Sequence, residues 1–368
     1  MSDVAVRARD RALGPAARTF DRVPAAWALA FLACTLALAV LIAVSSGAFP
    51  IGAGDALRIL AHQFGLGDPT AIAPEQEAVL MSIRMPRVVL GILVGAGLAV
   101  AGTSMQALFR NPLADPTLIG VSAGGALAAA TVIVMGVVWF PGITRSLGPA
   151  TLPLAAFLGG LGAATLVYTL ATHGGRTSIA ILLLAGIAIN ALVEAGIGFY
   201  TYLANDEQLR NLAMWRLGSI GGANWSTLTF VGPAIALGAF VLWRLAAPFN
   251  ALALGESEAS HLGVDVQRLK IAALVFSALV VGSAVAASGL IFFIGLLAPH
   301  MVRLACGPNH HIVLPGSMLL GATLILAADT IARTMVAPAE LPLGVFTALI
   351  GAPFFIALLL RERRAWEA

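Results

Sequence analysis

Charge is scarce in this 368-residue sequence: Asp, Glu, Lys and Arg together make up 11% of it, against about 25% in an ordinary soluble domain. That excludes a water-soluble globule. Cysteine is scarcer still. Only Cys34 and Cys306 occur, each in or beside an apolar run, so neither a disulfide framework nor a thiolate metal site is expected. No GxxxxGK[ST] stretch is present, so the chain does not cradle nucleotide phosphates by that route. The six histidines (His62, His173, His261, His300, His310 and His311) are scattered and lack HExxH spacing. His310 and His311 are neighbours that point to different faces of a helix, and they read as a solvated turn. With no catalytic constellation, an enzyme is not expected.

What the sequence does have is apolar length. Hydrophobic residues make up 59%, and the mean hydropathy is +0.94. Spans of about 20 residues with short loops leave room for roughly ten helices. The apolar runs are Ala26–Gly47, Val88–Leu108, Asp115–Val138, Ala150–Ala171, Ser178–Leu203, Ser226–Ala247, Leu269–Ala287, Leu290–Ala305, Ile312–Ala332 and Leu343–Leu360. Between the seventh and eighth runs, Ser288–Gly289 must serve as a very short turn. The expectation is an all-α polytopic membrane protein with cytoplasmic tails at residues 1–25 and 361–368 flanking one domain at 26–360.

Orientation follows from the basic residues. With the N-terminus inside, fourteen of the 21 lysines and arginines fall on the cytoplasmic side and seven on the other, as the positive-inside rule requires. The net charge of +3 is spread along membrane edges, which argues against a nucleic-acid partner. The first apolar run is too long, and follows too long a basic stretch, for a cleaved signal.

Three connections exceed simple hairpins. The outer segment from Ala48 to Ser82 contains a run, Ile51–Phe64, that reads either as an amphipathic surface helix or as a solvated loop. The segment at 205–225, with Trp215 and the glycines Gly218, Gly221 and Gly222, is too short to span. It suits a half-helix that re-enters the membrane, tolerable only where protein or a water-filled cavity shields its backbone. The inner loop at 248–270 contains two short helical stretches, Ala251–Leu254 and Glu256–Leu262, broken by Gly255 and Gly263. It is the elbow a membrane protein presents to a soluble partner that pushes on it.

Ionisable groups inside spans are functional candidates by default. Asn190 and Glu194 lie four apart on the fifth run and so share a helix face, which marks that helix as lining a cavity or pairing with a neighbour. Asp329 and Arg333 are also four apart, suggesting a local ion pair. The glycines Gly91, Gly95, Gly97 and Gly102 read as close helix packing.

Several long stretches then match in order: RMPR (Arg84–Arg87), GTSMQALFRNPLADPTLIGVSAG (Gly102–Gly124), LALGESEASHLGV (Leu252–Val264), GLIFFIGLLAPHMVRL (Gly289–Leu304) and ADTIARTMVAPAELPLGVFTALIGAPFF (Ala328–Phe355). In these the chain resembles the permease subunits of ABC importers for iron–siderophores, haem and vitamin B12. The resemblance covers nearly everything after the N-terminal tail. It implies a ten-helix type II importer fold, working as a homodimer in a bacterial inner membrane with both termini cytoplasmic. It also implies a periplasmic binding protein outside and two ATPase subunits, carrying ATP–Mg, inside.

On that resemblance Arg84 and Arg333 are the docking residues for acidic groups of the binding protein. Gly255, Glu256, His261, Leu262 and Gly263 meet the ATPase. Asn190, Glu194, Arg210, Trp215 and Arg216 belong to the pathway or its gate. No cofactor is expected on this chain. The LR-x-x-x-x-W-x-LGS arrangement from Leu209 to Ser219 is most similar to haem permeases, so haem is the expected cargo. Ferric siderophore and cobalamin follow. A secondary transporter with Glu194 as proton carrier is the rival from another class. It would need no partner-facing elbow and would often show two related halves, which this sequence does not display.

Overall fold

The computed structural model describes residues 24–63, 65–66, 73–174, 176–336 and 339–367. Almost all of the tail expected at 1–25 lies outside them, and residues 361–367 are described only as the end of the last helix. Among the described residues, ten helices follow the ten apolar runs: α1 Ala25–Ser45, α2 Met85–Phe109, α3 Val121–Trp139, α4 Thr151–Ala171, α5 Ile179–Leu203, α6 Trp225–Arg244, α7 Val266–Ser288, α8 Ile294–Cys306, α9 His310–Thr334 and α10 Leu343–Glu367. A two-stranded hairpin pairs Thr172 with Thr177 and joins α4 to α5.

Boundaries depart from expectation in places: α3 starts at Val121, after a short helix Pro116–Ile119, rather than at Asp115, and α10 runs on to Glu367 rather than stopping at Leu360. The eighth helix starts at Ile294, not Leu290, and its 13 residues give only about 20 Å of length. That is short of the ~30 Å hydrocarbon core. The two-residue turn expected at Ser288–Gly289 is instead an unwound stretch running to Phe293. Gly289 adopts φ 67° there, and a Cβ on it would lie 2.2 Å from the Trp215 carbonyl oxygen. Only glycine fits that approach.

The core is built around α2, which is buried on nearly every face from Val88 to Leu108. Small residues make this possible. A Cβ on Gly95 would sit 2.4 Å from the Gly321 carbonyl oxygen on α9, and one on Gly102 would sit 1.9 Å from that of Gly295 on α8. The helices touch backbone to backbone, the packing expected of the 91–102 glycines. Outside this bundle, the run expected either as helix or loop is a helix, Ala53–Gln63, whose Ala56 and Ile59 are buried against the end of α1.

Candidate functional site

At the end of α1, the carbonyls of Ala43, Val44 and Ser45 lack intrahelical partners, as the last carbonyls of any helix do. Two arginines supply the donors. Arg84 donates to the carbonyls of Val44 (2.6 Å), Ser45 (3.0 Å) and Phe49. Arg333 donates to those of Ser46 (2.6 Å) and Ala43. Two cations at a helix C-terminus also complement its dipole. Both arginines that the resemblance implies for docking are thus engaged within the chain itself. Arg84 is only 5% exposed and the Arg333 side chain 9%. The sequence signals the arginines but not the distant carbonyls that capture them.

Arg87, the second arginine of RMPR, organises the same corner. It meets Asp329 at 2.8 Å and Glu340 at 2.7 Å. The local Asp329–Arg333 pair is looser, at 3.5 Å, so the partner that matters to Asp329 comes from another helix. Hydrogen bonds from Arg87 hold the Glu340 carboxyl below the usual glutamate range, outweighing the opposing effect of its partial burial. Three arginines against two carboxylates leave this corner with one net positive charge, and Arg84 makes no ion pair among the described residues. Arg87 and Glu340 were not singled out in the sequence, where 253 residues separate them and nothing marks them as partners.

A second site lies on the face of α5 that the chain leaves uncovered. Leu184, Ile187, Leu192, Phe199 and Tyr202 are exposed along it, and among them Glu194 is exposed too. Arg216 reaches Glu194 at 3.1 Å from the helix Asp206–Leu217. Asn190, expected beside Glu194, turns away instead. Its amide donates to the Thr117 carbonyl at 3.3 Å, bracing the α2–α3 connection. Four residues per 3.6-residue turn is near but not full eclipse, and a carbonyl within reach decides the rotamer.

The helix Asp206–Leu217 opens with a capping box in which Asn205 and Gln208 exchange side-chain and backbone hydrogen bonds. Its far end is tied between two spans: Ser219 donates its amide to the Ser288 carbonyl at 2.7 Å, and Leu343 to that of Gly218 at 2.9 Å. Arg210 is exposed and makes no ion pair among the described residues. Trp215 is half-buried and, with Asn211 and Met214, roofs a cavity of about 530 Å³ that reaches Gly289.

At the opposite end, the elbow forms two helices, Ala246–Leu252 and Glu256–His261, the first beginning five residues earlier than expected. It is anchored twice. Phe249 is fully buried and packs on the His310 ring at 5.8 Å, while Asn250 bonds Asn309 and His310 at 2.9 Å. His310 is thus a buried anchor rather than half of a solvated turn; only His311 is exposed. Glu256 turns inward to Lys270, the single lysine of the chain, at 2.9 Å. Leu254 and Leu262 stand 67% and 63% exposed, with His261 and Gly263 beside them. Leu254 went unremarked in the sequence because an apolar residue in an apolar chain carries no signal until its exposure is known.

Residues 35–361 match the FecCD transport family. The chain belongs to that family. This FecCD permease is similar to the hemin transport system permease protein HmuU of Yersinia pestis, at 47% identity over 295 residues, covering 77% of this chain and 84% of that protein. It is also similar to the cobalamin import system permease protein BtuC of Halobacterium salinarum, at 40% over 324 residues, or 88% and 83% of the two chains. A solved metal-chelate-type ABC transporter in an inward-facing conformation superposes with a TM-score of 0.78 at 32% identity, covering 90% of this chain and 98% of that one. The chain is thus a multi-pass membrane permease of an ABC importer, not an enzyme, and hydrolysis resides in a separate subunit. Membership implies an ATPase, a binding protein and a second permease as partners. It sets aside the gradient-driven reading of Glu194.

Proposed function

We propose that this permease imports haem (hemin), delivered by a periplasmic haem-binding protein, across the inner membrane into the cytoplasm. Two copies form the pathway along their α5 faces, and two copies of a cytoplasmic ATPase carrying ATP–Mg drive it. Both termini lie in the cytoplasm. The observation that carries this reading is the Glu194–Arg216 pair, 58% and 39% exposed on an otherwise apolar span face. Exposed charge at membrane depth belongs against water or protein, not lipid, so a second copy and a water-filled path belong there.

Haem suits that surface. It is a flat apolar macrocycle with carboxylates that Arg210 and Arg216, on the segment 205–225, are placed to attract at the mouth. The Leu209–Ser219 arrangement and the hemin permease among the relatives support it. The cobalamin permease among the relatives favours the second reading, a cobalamin or ferric-siderophore cargo. Arg84 and Arg333 serve docking by exchanging backbone carbonyls for the binding protein's carboxylates, which are stronger acceptors. Leu262, His261 and Gly263 face the ATPase, with Gly255 setting the bend and Glu256 tying it to α7.

The test is a titration of the cognate binding protein with haem, cobalamin and a ferric siderophore. Selective haem binding is expected. Selective cobalamin binding would replace haem as the cargo while leaving the permease assignment intact.

A further inference from the structure

We infer that the cleft between α4 and α6 is a binding site for one phospholipid acyl chain together with its ester region. The cleft encloses about 570 Å³. Its walls are Phe157 from α4 and Phe230 from α6, and its floor is Ser283 and Ala286 of α7. Toward the membrane edge it ends in Asn224, Ser226 and Thr227. From Asn224 to Ala234 it descends about 15 Å along α6, which is about one leaflet of a ~30 Å hydrocarbon core. Polar at the edge and apolar below, it has the profile of a single lipid in the leaflet on the side of the Asp206–Leu217 helix. Only the naming of that leaflet as the outer one rests on the orientation proposed above.

Two hydroxyls facing this cleft lack a partner among the described residues, as do the buried hydroxyls of Ser277 and Thr330 away from it. Elsewhere in the spans Thr103, Ser104, Thr131, Ser288 and Thr323 donate back to the carbonyl four residues earlier, each at 2.8 Å. Ser283 is 2% exposed, faces the cleft, and its hydroxyl makes no hydrogen bond among the described residues; the same is true of the Thr227 hydroxyl. A hydroxyl with little access to water and no partner is costly, and a carbonyl oxygen of a lipid ester is an acceptor that a membrane supplies. The surroundings fit as well. The exposed face of α6 beside the cleft is Phe230, Leu237, Phe240 and Trp243, with its one ionisable group, Arg244, at the far end of the helix, in contrast to the α5 face with Glu194 within the span. One side of the molecule meets water and the other meets acyl chains.

The cleft adjoins the cavity under Trp215, since Asn224, Thr227 and Ala286 line both. A seated chain therefore supports the helix Asp206–Leu217 from beneath.

The test reconstitutes the permease with its ATPase in phosphatidylethanolamine–phosphatidylglycerol nanodiscs containing a phospholipid with a diazirine on its acyl chain. Labelling is mapped by peptide mass spectrometry. Adducts concentrated at 154–157 and 230–234 are expected, falling about tenfold in Ala234→Trp/Ala286→Leu, the equivalent of roughly two lost buried methylenes. Labelling spread evenly over the exposed apolar faces, or unchanged by filling the cleft, overturns the site. If the filled variant does not assemble, Thr227→Val/Ser283→Ala decides instead. Fewer retained lipids per complex by native mass spectrometry support the site, and an unchanged count overturns it.

Discussion

Arg87 and Asp329, 242 residues apart in the chain, meet through two parallel hydrogen bonds, Nη2 to Oδ1 at 2.8 Å and Nε to Oδ2 at 3.0 Å. The fork-on-carboxylate geometry joins the start of α2 to the end of α9 across a buried contact. Their side chains are 11% and 5% exposed, so removing one partner strands a buried charge. Arg87→Met or Asp329→Asn should destabilise the permease by about 3–5 kcal/mol. Thermal unfolding in detergent checks this, and an unchanged midpoint would remove the pair from the account.

Glu340 adds a pH dependence. Its folded carboxyl titrates below the ordinary value of 4.5, chiefly through hydrogen bonds from Arg87. The ionised form is favoured in the fold, so the link is complete above the ordinary range and fades as pH falls through the lower folded value. Amide exchange at Leu341, which bonds the Ala332 carbonyl at 3.2 Å, reads it out. Protection should persist at a pH of about 5 and drop only in more acid solution. Glu340→Gln should lose it at every pH.

Arg84→Glu with Arg333→Glu should abolish docking of the binding protein while assembly with the ATPase survives. Because both side chains also satisfy carbonyls at the end of α1, the double variant should expose residues 43–49 to faster exchange. Docking at full affinity would end their recognition role, whatever the exchange shows.

The ten helices were legible because a bilayer imposes length and apolarity on each span, and the glycines of α2 announced close packing. Less visible were contacts made at a distance. RMPR showed two arginines, but not that Arg84 reaches back 40 residues to the Val44 carbonyl. The i,i+4 spacing of Asn190 and Glu194 placed them on one face, yet Thr117 draws Asn190 aside. The unwound stretch before α8 was hidden as well. Its residues are as apolar as any helix, and the backbone of Trp215–Ser219 packed against Ser288–Leu290 becomes visible only in the fold.

The elbow gives a further prediction. Gly255 holds φ 133°, and a Cβ there would lie 2.1 Å from the Glu258 carboxylate. Gly255→Ala should strain the bend by about 1–3 kcal/mol and lower transport per ATP hydrolysed, and Gly255→Pro should uncouple the two altogether. Lys270→Met, which unties Glu256 from α7, should act in the same direction. The ratio of uptake to phosphate release measures it; a normal ratio in all three would disconnect the elbow from coupling.

The pathway reading makes an unusual pairing of outcomes for Glu194 and Arg216. An exposed pair contributes only about 0.2–1 kcal/mol to stability, so Glu194→Ala and Arg216→Ala should unfold almost as the parent does. Uptake should nevertheless fall severalfold, and the exchanged pair Glu194→Arg/Arg216→Glu should not restore it if cargo carboxylates meet Arg216 itself.

The most direct measurement is haem accumulation in proteoliposomes holding the permease and its ATPase, supplied with haem-loaded binding protein outside. Accumulation should require ATP and the binding protein, ignore a pH gradient, and drop in Arg216→Ala. Accumulation without ATP, or none of haem while cobalamin enters, would contradict it.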